Sequence, residues 1–87
     1  MKKLEKFLKA FANHRRLEIV WFLNEKGPVT VSEISARINL SFKATSKHLG
    51  VLFAADIVER EQKGLQMFYR IAPDKRRKVL AVFGLSR

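Results

Sequence analysis

Between Ser41 and Leu52 the sequence reads SFKATSKHLGVL, and its residue types divide by angle. At about 100° per residue on a helix, Thr45, His48, Leu49 and Leu52 share one side, while Lys43, Ser46, Lys47 and Gly50 share the other. The first side is apolar apart from a hydroxyl and an imidazole. The second offers two cations, one hydroxyl and one position without a side chain, a surface suited to a groove lined by phosphates and base edges. Ser41 is placed to cap this helix, and the free N–H groups of its first turn can hold a phosphate. Catalysis has far less to work with. Cysteine is absent, which removes disulfides, thiolate nucleophiles and thiolate metal sites. His14 and His48 stand 34 positions apart and make no metal motif without further ligands. No Gly-rich phosphate loop and no carboxylate pair in a predicted cleft stand in for them. The chain is therefore expected not to be an enzyme, and to need no metal, no cofactor and no small-molecule substrate.

The elements that must position this helix follow from local signals. Thr30-Val31-Ser32-Glu33 reads as a capping box ahead of a helix of barely two turns, with Ile34 and Ile38 on its apolar face. Asn39 tolerates the left-handed turn that follows, Leu40 plugs the angle, and the helix from Ser41 runs to about Ala55. Residues 31–55 thus read as a helix-turn-helix. Upstream, Leu4, Phe7, Leu8 and Phe11 recur at helical spacing, with Lys2, Lys6 and Lys9 opposite. Asn13 caps a second helix from about His14 to Asn24, with Leu17, Val20, Trp21 and Leu23 inward and Ile19 and Phe22 flanking. Gly27-Pro28 ends it, and Val29 forms a stub of strand. After Asp56 the period changes to two: Leu65, Met67, Tyr69 and Ile71 alternate with Gln66, Phe68 and Arg70. Residues 57–71 are therefore a β-hairpin, first strand Ile57 to Gln62, turn at Lys63-Gly64. Pro73-Asp74 opens a last helix capped by Asp74, with Arg76, Val79, Leu80 and Phe83 on one side. The predicted fold is mainly α with a small β-hairpin, in the order α-α-(β)-α-α-β-β-α.

Length and charge agree with this. The chain has 87 residues, which supports one small domain over 1–87. Its 47% apolar content is enough for a packed core, so disorder is not expected despite the charge. No apolar run approaches the ~18 residues that a membrane span needs, and the Lys- and Glu-studded N-terminus lacks the pattern of a secretory signal. With 18 Lys+Arg against 8 Asp+Glu the formal net charge is +10, which points to a polyanionic partner. Nine of the 18 cations, however, lie on the terminal segments: Lys2, Lys3, Lys6, Lys9, Lys75, Arg76, Arg77, Lys78 and Arg87. They either extend a footprint along flanking phosphates or meet another anionic partner.

The stretches FLKAFANHRRLEIVWFL, VSEISARINLSFKATSKHLGVL and IVEREQKGLQMFYRI together resemble the ArsR-type winged helix-turn-helix transcriptional regulators. The resemblance covers about three quarters of the chain, from Phe7 to Ile71. Its most specific parts are A-N-x-x-R-L at the second helix, L-S-x-x-x-x-S-K-H-L at the recognition helix and G-x-x-x-x-Y-R-I on the second wing strand. It implies a homodimer, joined through the first and last helices (1–13 and 74–87), that binds operator DNA and usually represses, in the cytoplasm of a prokaryote and on its nucleoid. Recognition-helix contacts would fall on Ser41, Phe42, Lys43, Ser46, Lys47 and His48. Wing contacts would fall on Arg60, Gln62, Lys63 and Gln66, and dimer contacts on Leu4, Phe7, Leu8, Phe11, Val79, Leu80 and Phe83. The family's Cys-x-Cys metal pair is missing from Val29–Glu33, and the last helix offers Asp74 among cations, so neither familiar metal site is implied. Phe42 stands where the family commonly has a polar reader, and Glu59 and Glu61 dilute the wing's positive charge.

Several residues keep two readings at this point. His48 is a half-buried, satisfied imidazole under the recognition helix or a DNA contact, and Phe42 is an exposed contact or a cover for the helix–helix corner. Arg16 reads as a structural or phosphate-adjacent group rather than a base reader. The apolar stripes of the first and last helices are core or dimer seam. A second class of function stays open too: a winged-helix module for protein or RNA assembly with an acidic partner.

Overall fold

The computed structural model describes residues 1–84; Leu85, Ser86 and Arg87, the end of the expected C-terminal segment, lie outside the described residues. Five helices and three short strands follow in the order α1 (Lys2–Phe11), α2 (His14–Lys26), β1 (Val29–Thr30), α3 (Val31–Ile38), α4 (Phe42–Ala54), β2 (Val58–Lys63), β3 (Gln66–Ile71) and α5 (Arg76–Val82). The strands form one antiparallel sheet in the order β1-β3-β2. No helix among the described residues is long and apolar enough to cross a membrane.

The boundaries follow the caps. Asn13 Oδ1 accepts the Arg16 N–H at 3.1 Å and starts α2. Gly27, at φ +76°, closes α2 with its N–H on the Leu23 carbonyl at 2.8 Å. The capping box at α3 is complete: Glu33 N–H donates to Thr30 Oγ1 (3.2 Å), and Thr30 N–H donates to Glu33 Oε1 (2.9 Å). Asn39 takes the left-handed conformation that turns the chain from α3 to α4, and Leu40 packs half-buried against the core.

The core lies where α2, α3 and α4 meet the sheet. Ile19, Val20, Leu23, Ile34, Leu49, Leu52, Ile57 and Val79 are all but inaccessible to water. Two helical expectations change here. The buried residues of α2 are Ile19, Val20, Phe22 and Leu23, and these positions centre on a direction opposite to Trp21. Trp21 therefore points outward, 37% exposed, and rests its ring 5.2 Å from that of Phe83. Ile19 and Phe22, expected only to flank, are core because α2 is contacted by α1, α3, α4 and β3 rather than from one side. At the last helix, Asp74 does not cap. Pro73–Lys75 form a single 3₁₀ turn, Asp74 faces Lys75 Nζ at 3.1 Å, and α5 begins at Arg76, which is exposed. Proline's fixed φ suits the tight turn, and its missing N–H removes nothing there.

The hairpin turn also moves by one residue. Lys63 pairs with Gln66, so Gly64 and Leu65 form the two-residue loop, with Gly64 at φ +62° supplying the left-handed position. Leu65, expected on the inward face of the strand, is instead fully exposed at the wing tip. The alternation holds for Tyr69 and Ile71, which are buried opposite Arg60 and Val58.

Candidate nucleic-acid interface

The helix α4 divides as its sequence angle requires. Thr45, Leu49 and Leu52 are buried, and Lys43, Lys47 and Gly50 are exposed, with Ser46 half-buried beside them. Among the described residues neither Lys43 nor Lys47 has an ion-pair partner, so both ammonium groups remain available to an anion outside the subunit. Ser41 Oγ accepts the Ala44 N–H at 3.1 Å, which leaves the hydroxyl's own proton to donate to a phosphate. Phe42 is 59% exposed, so it does not cover the helix–helix corner; its ring stands on the surface at the first turn of α4, where a phenyl group can pack on a thymine methyl.

Two arginines at the start of α2 tie it to neighbouring helices, and one of them reaches α4. Arg16 donates from Nε to the Ala10 carbonyl at 2.7 Å and from Nη2 to the Lys9 carbonyl at 3.4 Å, and its Nη1 lies 3.3 Å from His48 Nδ1. One guanidinium thus joins the end of α1 to the middle of α4. Arg15 donates to the Ile38 carbonyl at 2.6 Å and to Glu18 at 3.1 Å, joining α2 to the end of α3. Both use the five-donor fork of arginine to satisfy carbonyls, those of Ala10 and Ile38, that a helix end leaves open. Burial, then the charges of Arg16, Arg15 and Lys47, hold the His48 imidazole below its ordinary pKa. Neutral His48 can accept at Nδ1, the form that the bond from Arg16 requires. One ring nitrogen of His48 is thus committed inside the subunit. Arg16 makes the intramolecular contacts that its structural reading, one of the two its position allowed, requires.

The wing residues do not share one face. Arg60 and Gln62 lie opposite Tyr69 and Met67, on the side that turns inward near the base of the hairpin; Lys63 and Gln66 lie on the reverse face at the tip. The Arg60 guanidinium stacks 4.0 Å from the centre of the Phe53 ring, which ties the wing to the last turn of α4. Lys63 Nζ lies 5.7 Å from the centre of the Phe68 ring, and Gln62 Nε2 donates to the Gly64 carbonyl at 3.3 Å, which steadies the tip. Glu59 is held by Arg70 at 2.6 Å, so one of the two wing carboxylates is neutralised within the hairpin.

The terminal stripes are split between core and surface. Phe7, Phe11 and Val79 are buried within the subunit, which corrects their expected place on an open seam. Phe7 and Phe11 stack at 5.1 Å, and Phe83 meets Phe11 edge-on at 6.4 Å. Leu80 and Phe83 are half-buried, while Leu4 (51%) and Leu8 (54%) remain open on α1. The sequence reading missed three contacts: Arg60 on Phe53, the Arg16–His48 bridge, and Arg37, which pairs with Glu25 and lies over Phe22. All three join residues on different elements, and no local spacing signals them.

Residues 13–60, from the cap of α2 into β2, match the family described as bacterial regulatory protein, arsR family. The chain is 30% identical over 69 residues to the arsenical resistance operon repressor of Bacillus subtilis, covering 79% of this chain and 66% of that protein. It is 37% identical over 68 residues to the biofilm growth-associated repressor of Agrobacterium fabrum, covering 78% and 57%. The chain thus spans less than two thirds of the length of either relative. Among solved structures, the homodimeric winged helix-turn-helix DNA-binding domain of a Mycobacterium bovis protein superposes with a TM-score of 0.87 at 27% identity, over 97% of this chain and 77% of that one.

Proposed function

Because the chain belongs to the arsR family of bacterial regulatory proteins, we propose that it binds double-stranded DNA as a homodimer and represses transcription. The observation that carries this reading is the outward row of Lys43, Ser46 and Lys47 on α4, whose two cations have no acidic partner among the described residues. Each subunit lays α4 in a major groove, with Ser41 and the first-turn N–H groups on a phosphate and Lys43, Ser46, Lys47 and Phe42 toward the bases. The wing follows the neighbouring backbone or minor groove through Arg60 and Gln62 on one face and Lys63 and Gln66 at the tip. His48 acts from behind by setting the pose of α4 through Arg16. Residues 31–55 are the reader, 57–71 the wing, and 1–13 with 74–87 the segments that join two copies, through Leu4 and Leu8 beside Leu80 and Phe83. A two-fold dimer then reads half-sites about one helical turn, roughly 34–36 Å, apart.

The protein acts by binding rather than turnover, in the prokaryotic cytoplasm on the nucleoid. Backbone contacts supply affinity and make it steeply salt dependent, while a few side chains discriminate sequence. Selection of duplexes from a random pool at physiological salt, with stoichiometry measured on the winner, tests the proposal. A palindromic winner holding two chains is expected. A winner no better than bulk competitor DNA overturns sequence-specific binding, and a winner holding one chain overturns the dimer.

A further inference from the structure

Residues 60–66 are all exposed, so the hairpin stands clear of the subunit, and it ends on a side chain that the fold does not use. Arg60, on the Phe53 ring, holds the base of the wing to the last turn of α4. From Arg60 the strand runs three more residues to Lys63, about 10 Å at the ~3.3 Å rise of a strand, before the loop of Gly64 and Leu65. Gly64 takes the positive φ that the turn needs and Leu65 does not, so the turn asks nothing of the side chain at Leu65. A polar residue would serve both turn and solvent, yet a leucine stands there with its whole surface open to water. Its neighbours set its context. Glu59 is bound by Arg70, Gln62 donates to the Gly64 carbonyl, and Glu61 puts a negative charge on the outer face of the strand. At the tip Lys63 and Gln66 face each other across the strands, and among the described residues Lys63 has no ion-pair partner. The tip therefore presents one cation, one amide and an isobutyl group beside them.

That combination fits one of the two grooves of DNA. In the DNA-binding reading above, on which this inference rests, α4 takes the major groove, and the wing tied to its last turn falls on the minor groove beside it. The minor groove is roughly 6 Å wide, too narrow for a two-stranded ribbon but open to one side chain at its tip. A phosphate gives an isobutyl group nothing, whereas the deoxyribose walls and base edges cover hydrocarbon. Lys63 can then meet a phosphate and Gln66 the acceptors of the groove floor. A lone leucine elsewhere on the surface would carry no such meaning. We propose that Leu65 is a minor-groove wedge: it seats against a base step outside each half-site, partly unstacks it, and so selects a pyrimidine–purine step, the kind that opens most readily. Discrimination at this step comes from the deformability of the duplex rather than from hydrogen bonds to a base.

Two selections from a random duplex pool at physiological salt, one with the wild type and one with Leu65→Ser, test this. The wild type should enrich a TA, CA or TG step at a fixed distance outside each half-site, and Leu65→Ser should keep the half-sites and lose that enrichment. On the wild-type winner, Leu65→Ser should bind about tenfold more weakly, because an apolar contact returns to water. Its salt slope should stay the same, because no charge is lost, whereas Lys63→Gln should shallow the slope by about one. Leu65 is wholly exposed, so the thermal melts of wild type and Leu65→Ser should coincide. A 2-aminopurine built into the step reads the wedge without any variant: its fluorescence should rise when the wild type binds. No flanking preference, equal affinity of Leu65→Ser and wild type, or a 2-aminopurine that stays quenched would each overturn the wedge while leaving α4 as the reader. A Leu65→Ser chain that binds DNA normally but fails to self-associate in sedimentation would overturn it in favour of a contact with a second copy. A wild type that selects no duplex overturns the DNA-binding reading itself, and the wedge with it.

Discussion

Replacing Arg16 by Met should loosen the subunit at the point where α1 meets α4. Methionine keeps an unbranched stem against the helices and removes the guanidinium alone. The bond to the Ala10 carbonyl, at 2.7 Å from a charged donor, is the strongest of the three contacts, at about 1.5 kcal/mol in a partly exposed site. The contact with His48 Nδ1 at 3.3 Å is longer, worth about 0.5–1 kcal/mol, and the one to the Lys9 carbonyl at 3.4 Å contributes least. The sum is about 2–3 kcal/mol, a fall in Tm of about 10–20 °C for a domain of this size. Arg16→Lys should recover less than half, since one ammonium cannot serve two helices in the fork geometry. Thermal and urea melts of wild type, Arg16→Met, His48→Leu and the double variant then isolate the pair. Its coupling should be about 0.5–1 kcal/mol at pH 7.5. The pH dependence has a definite sign. The folded protein holds the His48 pKa low, so the unfolded chain binds the proton more readily; the associated stability is complete above about pH 6.5 and is lost as the pH falls through the folded value. Below that, charged His48 cannot accept from Arg16 and the coupling should vanish or reverse. Stability of Arg16→Met within 0.5 kcal/mol of wild type, or a coupling that does not weaken as the pH falls through the folded value, would refute the bridge.

Other expectations are as direct. Lys47→Ala should weaken DNA binding by about 1–3 kcal/mol and relax specificity if Lys47 reads a base; if it touches only phosphate, the loss is equal on all duplexes and the salt slope shallows by about one. Unchanged binding on every duplex removes α4 as the reader. Thr45 is wholly buried, and its hydroxyl has no hydrogen-bond partner in the structure, so Thr45→Val should raise stability by about 1 kcal/mol and Tm by about 4–8 °C. A lower Tm would mean that the hydroxyl has a partner. Leu8→Glu, on the open side of α1, should raise the dimer dissociation constant tenfold or more while far-ultraviolet circular dichroism stays the same. Sedimentation that still gives a tight dimer would place the seam elsewhere.

The parts of this molecule legible in its sequence are those fixed within a few residues. The caps at Asn13, Thr30 and Ser41, the left-handed turn at Asn39 and the two-sided pattern of α4 each depend on neighbours one to four positions away. Errors gathered where local and distant forces compete. Leu65 fits the alternation of β3, yet a two-residue turn pinned by the Lys63–Gln66 register carries it out of the sheet. Trp21 looks like a core residue by type, but α2 is packed from several directions, and the four positions that face those neighbours exclude it. Asp74 has the chemistry of a cap, and the proline before it tightens the first turn to 3₁₀ instead.

By itself the sequence determined the order of elements, the helix that faces outward and the cations it carries, because periodicity and capping are short-range. Only the tertiary structure decided that Arg16 joins α1 to α4 through His48, that Arg60 rests on Phe53, and which of the terminal apolar residues stay open. Those outcomes depend on where separate helices come to rest against one another, which is settled by the shape of the shared core and is written in no local run of residues.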